Sequence, residues 1–536
     1  MNFSVKSRRG MILFIVSIVI AMLAVGSLSL LSLLTTEYEA TLYRGDEIQA
    51  GQLVQSGIEF IGQTLTASEQ PLTSSGQTPI PNTETSDSFS FPQENSAEFP
   101  HAENLYDNPL RFCGVEVVPG HFDYSGRGTG RFTVFSPRVE QDRLKGIRFG
   151  LVNESTRLHL GMVLEWETES PGLGARALLK LPGMTPAMAD SLLDWIDTDK
   201  TPRSSGAELA YYEQTGVPYR PRNAIPVTLE ELLLVRDVTR TLLFGTDEHF
   251  SYGAKMSELQ QFQTANELQN ELLFQPHEET VNPIPAENRI TDSSPFFDDS
   301  VGFNEESGQS LAWCLLLTTL SAEKLVDPNG NAKIFLNDNQ LEFLNEQLQS
   351  RLDEESCQFI LAWRKKNGLI DDPVDLLDAT VEENGLELKS PFSLDNPVAE
   401  EKFLTLLDIA TASSEIVVSG RINVNDAPRL VLEAVPELSG QMVMQILNRR
   451  GTPGEKRKDK YRHTIWLLSE KIVDKETMKK LSKRLTTGGD VYRAQVIGFF
   501  DGRGTIRRAE AVIDATVKPP RPIFTKDLSS QSIAKP

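Results

Sequence analysis

The apolar positions fall into distinct regimes along the chain. Met11 to Leu34 (MILFIVSIVIAMLAVGSLSLLSLL) runs for 24 residues without a charge. At 1.5 Å rise per residue such a helix is about 36 Å long, enough to cross a hydrocarbon core of about 30 Å. Beyond it the apolar residues thin to near-helical spacing at Leu42, Ile48, Leu53, Ile58 and Ile61, with small Ala40, Ala50 and Gly51 among them. The two patterns join without a break. They predict one helix over 11–65, apolar all round at first and amphipathic afterwards. Residues 66–105 are rich in Ser, Thr, Pro, Gln, Asn and Glu. They are too polar to bury a core and read as a disordered linker, and a second polar linker is expected at 275–300.

Two regions read as strands. One holds Gly130–Val139 and Lys145–Val152. The other holds Asp490–Phe500, a turn at Asp501-Gly502-Arg503-Gly504, and Thr505–Val517. In the second, Tyr492, Ala494 and Val496 alternate with Arg493 and Gln495, so apolar and polar side chains take opposite faces of a hairpin. More than 300 residues between these regions have mostly helical periodicity. They contain a degenerate repeat of three blocks, beginning at Arg157, Lys333 and Arg421, with Asn337 and Asn425 in matching places and Gly161 in theirs in the first block. Leu181-Pro182-Gly183-Met184 and Val435-Pro436-Glu437-Leu438 resemble helix-hairpin-helix turns.

The fold class expected is α+β: a pilin-like long N-terminal helix packed on a small antiparallel sheet, with a large inserted helical domain of helix-hairpin-helix or SAM-like repeats. Its divisions are a leader at 1–10, the helix at 11–65, the linker at 66–105 and the first part of the sheet at 106–156. The insertion follows at 157–274 and 301–485 on either side of the polar linker. A C-terminal hairpin at 486–520 and a tail at 521–536 complete the chain.

Charge orients the first helix. Lys6, Arg8 and Arg9 precede the apolar run, and Glu37 and Glu39 follow it. Cationic flanks stay in the cytoplasm, so residues from about Thr35 onward should lie across the membrane. A cleaved secretory signal has a shorter apolar stretch, of about 7–15 residues, and a small-residue cleavage site after it. A plain anchor fits the hydropathy but leaves Arg8-Arg9-Gly10 unexplained. A prepilin-type leader fits both: a short basic peptide ending in Gly10, cut before Met11 on the cytoplasmic side, with the anchor retained.

The whole chain carries 53 Lys and Arg against 75 Asp and Glu, a net charge of −22. That balance repels nucleic acid at long range and suits cations. The three cysteines, Cys113, Cys314 and Cys357, lie far apart and form no metal-ligand spacing. None of the six histidines sits in a nucleophile or HExxH motif, and no Gly-rich phosphate loop is present. We therefore expect no enzyme. Asp194, Asp197 and Asp199 crowd one short segment, and Glu208 returns after a Ser-Ser-Gly turn. Hard oxygen ligands on a loop suit Ca²⁺, while the plainer reading is a solvated helix end with capping carboxylates. Asp327, Asn329 and Asn331 have the 1-3-5 spacing of a calcium loop without its later Gly and Glu. An alternative function is a membrane-tethered helix-hairpin-helix DNA-binding protein, prompted by the basic stretch Arg449 to Arg484. Against it, Thr185, Glu437 and Ser439 stand where glycines would let phosphate approach.

In their order along the chain, several motifs resemble the protein K family of type II secretion. They are Arg9-Gly10-Met11, Glu154-Ser155-Thr156-Arg157-Leu158, Leu193-Asp194-Trp195-Ile196-Asp197-Thr198-Asp199, Gly206-Ala207-Glu208 with Tyr211-Tyr212, Pro218-Tyr219-Arg220-Pro221-Arg222-Asn223, Thr228-Leu229-Glu230-Glu231-Leu232 with Val235 and Arg236, and Arg421-Ile422-Asn423-Val424-Asn425-Asp426-Ala427. The resemblance implies a minor pseudopilin of the inner membrane, with its bulk in the periplasm, at the tip of a pseudopilus. It implies partnership with two other minor pseudopilins, lettered I and J, with the inner-membrane platform and with prepilin peptidase. It also implies cleavage after Gly10, methylation of Met11, structural calcium and no nucleic acid. Most pilin-like subunits carry Glu at the fifth mature position, where it meets a neighbour's terminal amine. Here Ile15 takes that position, as suits a subunit with no neighbour above it.

Overall fold

The computed structural model describes residues 9–68, 103–117, 128–247, 311–451, 459–501 and 505–529, apart from Val217 and Asn384, together with Phe250, Tyr252, Ala254 and Leu259. Residues 1–8, most of both polar linkers and the 502–504 turn lie outside these.

Helix α1 spans Arg9–Ser68, about 90 Å at helical rise. Its N-terminal half is exposed from Leu13 to Arg44, and its most apolar 18-residue window has a mean hydropathy of 2.6 with none of it buried. Burial begins at Ala50 and continues through Leu53, Val54, Ile58, Ile61 and Leu65. That stripe, at spacings of three and four, keeps Leu53, Ile58 and Ile61 of the amphipathic face read from the sequence, while Leu42 and Ile48 stay exposed because the sheet begins only beyond them.

The stripe packs on an antiparallel sheet of β1 (Val115–Val117), β2 (Gly130–Glu140), β3 (Arg143–Arg148), β4 (Val152–Asn153), β5 (Val491–Phe500), β6 (Arg507–Asp514) and β7 (Arg521–Asp527). The main order is β1-β2-β5-β6-β7, with β3 beside β2 and β4 beside β5. Alternation sorts the side chains. Phe132, Val134, Ala494, Val496, Ala511 and Ile513 pack under α1, while Phe135, Ile497, Phe499 and Ile506 meet Ala254 and Leu259 on the other face. Strands β5 and β6 are the expected hairpin. The expected tail at 521–536 needs correction, since β7 pairs along β6 with Lys526 opposite Glu510 and Phe524 opposite Val512.

The insertion leaves the sheet after β4 and returns at β5. From the start of each block the chain forms a unit bounded by paired strands. Each begins and ends in a two-residue strand, and the two strands pair in parallel: Leu158–His159 with Leu317–Thr318, Ile334–Phe335 with Ala410–Thr411, and Ile422–Asn423 with Leu485–Thr486. Asn337 and Asn425 do matching work, because the Asn337 amide donates to the Ile370 carbonyl (2.8 Å) and the Asn425 amide to that of Tyr461 (2.9 Å). One apolar core, holding Trp166, Trp195, Trp313 and Trp466, runs through all three units.

Three helical hairpins share one turn geometry. Gly183, Asp237 and Glu437 take positive φ (+69°, +62° and +71°) at equivalent places. Two residues before each, Leu181, Val235 and Val435 accept a backbone hydrogen bond of 3.2 Å from Met184, Val238 and Leu438 respectively. The next helix is capped by Thr185, Thr239 or Ser439, each accepting from the amide three residues on. The middle copy, Val235 to Thr239, escaped the sequence reading.

A buried ion network ties sheet to insertion. Glu154, fully buried just after β4, accepts from Arg493 Nε on β5 (2.7 Å) and from the Thr318 hydroxyl of the insertion, and forms an ion pair with Arg157 (3.2 Å). Arg493 also pairs with Glu510 on β6. Burial alone would raise the Glu154 carboxyl, but the Arg157 and Arg493 charges outweigh it and hold it down at about 2.

Candidate metal centre

The helix Pro186–Ile196 is amphipathic, burying Leu192, Leu193, Trp195 and Ile196, and it ends at Asp197. Asp194 lies on its last turn and is completely buried. The helix Leu209–Tyr212 begins at Glu208, whose Oε2 accepts from the Leu209 amide at 3.2 Å. An aromatic group sets the spacing between these two ends, with Trp195 edge-on to Tyr212 at 5.3 Å and Tyr219 5.1 Å from Tyr212. The loop between them folds back over Asp194. A Cβ at Gly206 would lie 1.9 Å from Asp194 Oδ2, so only glycine fits there.

This arrangement brings a carboxylate oxygen from each of Asp197, Asp199 and Glu208 within 4.8 Å of one another. Asp194 is not in the group. It accepts from the Arg203 amide (3.2 Å) and from Arg203 Nη1 (2.7 Å), and the same Nη1 reaches Asp197 Oδ2 at 2.5 Å. Asp199 is exposed, with Oδ1 accepting from the Thr201 amide. Asp197 Oδ1 and Glu208 Oε1 are buried and have no hydrogen-bond partner among the described residues, although their side chains belong to residues only 7% and 5% exposed. Burial raises the carboxyls of Asp194, Asp197 and Glu208 above their ordinary values, against the opposing pull of Arg203 on the two aspartates.

Simple capping does not account for Asp197. It stands at a helix C-terminus, where the backbone dipole disfavours a negative charge. Two orphaned buried oxygens in an all-oxygen donor set fit a hard cation such as Ca²⁺, which would relieve the repulsion among Asp197, Asp199 and Glu208. Asp194 fits an outer role, holding Arg203.

The second loop is arranged differently. Asp327 Oδ1 accepts from the amides of Asn329 (2.9 Å) and Asn331 (2.8 Å), and Oδ2 pairs with Arg351 at 2.6 Å. Burial raises the Asp327 carboxyl, but these hydrogen bonds and the Arg351 charge hold it below its ordinary range. Its carboxylate closes the loop on itself. Gly10 and Met11 lie at the start of α1, and Ile15 is 53% exposed on its bare half. None of Cys113, Cys314 and Cys357 is joined in a disulfide. Sequence reasoning missed Arg203, whose only signal was a lone cation between clustered carboxylates.

Comparison with known proteins bears on the same segment. Residues 168–244 match the family Type II secretion system (T2SS), protein K, and so include every residue of the carboxylate cluster and Arg203. No curated protein gives a significant match. Among solved structures, the crystal structure of the GspK-GspI-GspJ complex from the type 2 secretion system of enterotoxigenic Escherichia coli aligns over 90% of this chain and 97% of that chain, at 11% identity and a TM-score of 0.36. Likeness at that level carries no argument about this chain.

Proposed function

We propose that this chain, which belongs to the type II secretion system protein K family by its residues 168–244, is a minor pseudopilin that caps a periplasmic pseudopilus and helps to start its assembly. One observation carries the reading. A single 60-residue helix, bare and apolar in its first half, is buried in its second half against an antiparallel sheet, and that sheet carries an inserted domain containing the family match. The bare half is the anchor in the inner membrane, and the sheet and insertion face the periplasm. A structural subunit needs no catalytic group, and the chain acts by shape and contact.

Its partners are two other minor pseudopilins, as membership of the protein K family implies. Ile15 supports a tip position, because a subunit with no neighbour above has no amine to neutralise with an intramembrane carboxylate. The DNA-binding alternative gains no support from the hairpins. Asp237 and Glu437 place carboxylates at two of the turns, and in the first the Trp313 indole donates to the Pro182 carbonyl, turning that hairpin into the core.

Processing tests the anchor. Prepilin peptidase should cut after Gly10, leaving an N-methylated Met11 as the first residue of membrane-extracted protein. A mature chain that starts at Met1, or beyond Leu34, contradicts the reading. Calcium is the structural ion, held by Asp197, Asp199 and Glu208. Binding only the folded state at a hundredfold excess over Kd stabilises by about 2.7 kcal/mol. Wild-type protein should therefore melt higher in calcium than in chelator, and Asp197→Asn with Asp199→Asn should remove most of the difference. Equal melting in both buffers would leave the carboxylates without an ion.

A further inference from the structure

The carboxylate cluster already holds one cation of its own. Arg203 Nη1 lies between Asp194 Oδ1 (2.7 Å) and Asp197 Oδ2 (2.5 Å), and the Arg203 amide donates to both oxygens of Asp194. Asp197 is thereby divided. One oxygen faces the guanidinium and the other is buried without a partner, as is Glu208 Oε1 of the same cluster. The four carboxylates and one arginine sum to a charge of −3, so a divalent ion and Arg203 draw on the same negative charge.

We propose that Arg203 is a built-in counter-cation that competes with the divalent ion for Asp197 and so sets the affinity of the site, keeping the 194–208 loop folded when calcium is scarce. This rests on the calcium reading of Asp197, Asp199 and Glu208. Physically, a fixed unit charge about 5 Å from a divalent ion weakens its binding roughly tenfold with water-like screening, and more where the site is partly buried. The same charge stabilises the empty site by relieving the repulsion that an ion would otherwise relieve. The guanidinium is always charged, so its effect does not vary with pH in the physiological range. The Arg203 main-chain bonds to Asp194 survive a side-chain change, so the loop keeps its backbone tie to the helix.

The test uses full-length protein in detergent, with calcium alone as probe. Calcium titration calorimetry and melting in calcium and in chelator are measured for wild type, Arg203→Gln and Arg203→Lys. Arg203→Gln should bind calcium about tenfold more tightly, melt lower than wild type in chelator, and show a wider gap between the two buffers. Arg203→Lys, which keeps the charge and loses the fork, should stay within about threefold of wild-type affinity. Equal or weaker binding by a folded Arg203→Gln overturns the proposal. If Arg203→Gln is unfolded in chelator and folds on adding calcium, the proposal is supported. If it folds in neither buffer, Arg203→Lys decides: a folded protein of near wild-type affinity supports the counter-charge role, and an unfolded one overturns it. Binding by Arg203→Gln but not by wild type supports the competition while removing calcium from the native protein. Binding by neither removes both.

Discussion

Arg493→Met should destabilise the periplasmic region by about 3–5 kcal/mol, the usual consequence of removing one partner from a buried ion pair. Glu154 is completely buried and, among the described residues, would keep Arg157 and the Thr318 hydroxyl, while Glu510 would lose the guanidinium it now pairs with. The substitution falls at the joint, since Glu154 lies before the insertion, Thr318 inside it, and Arg493 and Glu510 on the sheet. Calorimetry should therefore show the insertion and the sheet melting as two separated transitions. A single transition within 1 kcal/mol of wild type, by the order of magnitude expected for an exposed pair, would mean the network is not what couples them.

The same network has a pH signature. The folded carboxyl of Glu154 is held at about 2, below its ordinary value of 4.5. A depressed carboxyl contributes stability that is complete above its unfolded value and is lost as pH falls through the folded one. The contribution, on the order of 3 kcal/mol, should fade between about pH 4.5 and 2. Glu154→Gln should be less stable than wild type at neutral pH and lose less on acidification across that window.

Gly498→Ala should have the second largest effect. A Cβ at Gly498 would lie 2.5 Å from the Ala50 carbonyl oxygen and 3.0 Å from the Val54 amide nitrogen, both backbone atoms of α1. Nothing there can rotate aside, so α1 must lift from β5. Overpacking of this kind typically costs about 1–3 kcal/mol, and contact with rigid backbone places Gly498→Ala near the top of that range. Gly57 is the counterpart on the helix, where a Cβ would meet Val496 Cγ1 at 2.5 Å and Phe132 at 3.0 Å. Gly51, also on α1, has nothing within 4 Å of its Cβ direction, so Gly51→Ala should be neutral or stabilising by up to about 1 kcal/mol through helix propensity. Chemical denaturation of Gly498→Ala and Gly51→Ala checks the order. A Gly498→Ala protein as stable as Gly51→Ala would contradict close packing of α1 on the sheet.

The elements legible in the sequence were those whose periodicity one element sets by itself. The α1 stripe and the β5–β6 alternation each follow from burial on a single face. Strand β7 was hidden because Pro519, Pro520 and Pro522 read as loop, and its pairing depends on β6 rather than on its own pattern. The Val235–Thr239 hairpin was hidden because Arg236 stands where Pro182 and Pro436 mark the other two turns. For the cluster, spacing placed Asp197, Asp199 and Glu208 near one another, since a helix end and a short returning loop leave little freedom. It could not separate Asp194 from them, because that depends on how Arg203 folds back. The role of Asp327 was equally hidden, since 1-3-5 spacing also serves a loop that hydrogen-bonds to itself.

Assembly with two partner subunits is directly measurable. The periplasmic region of this chain, from about Glu37, is mixed with the periplasmic regions of the two other minor pseudopilins of its own system and analysed by size-exclusion chromatography with light scattering. A discrete complex with one copy of each subunit should form, with no growth into fibres by this chain alone. A folded protein that elutes by itself in the presence of both partners, or that polymerises without them, would contradict that assembly.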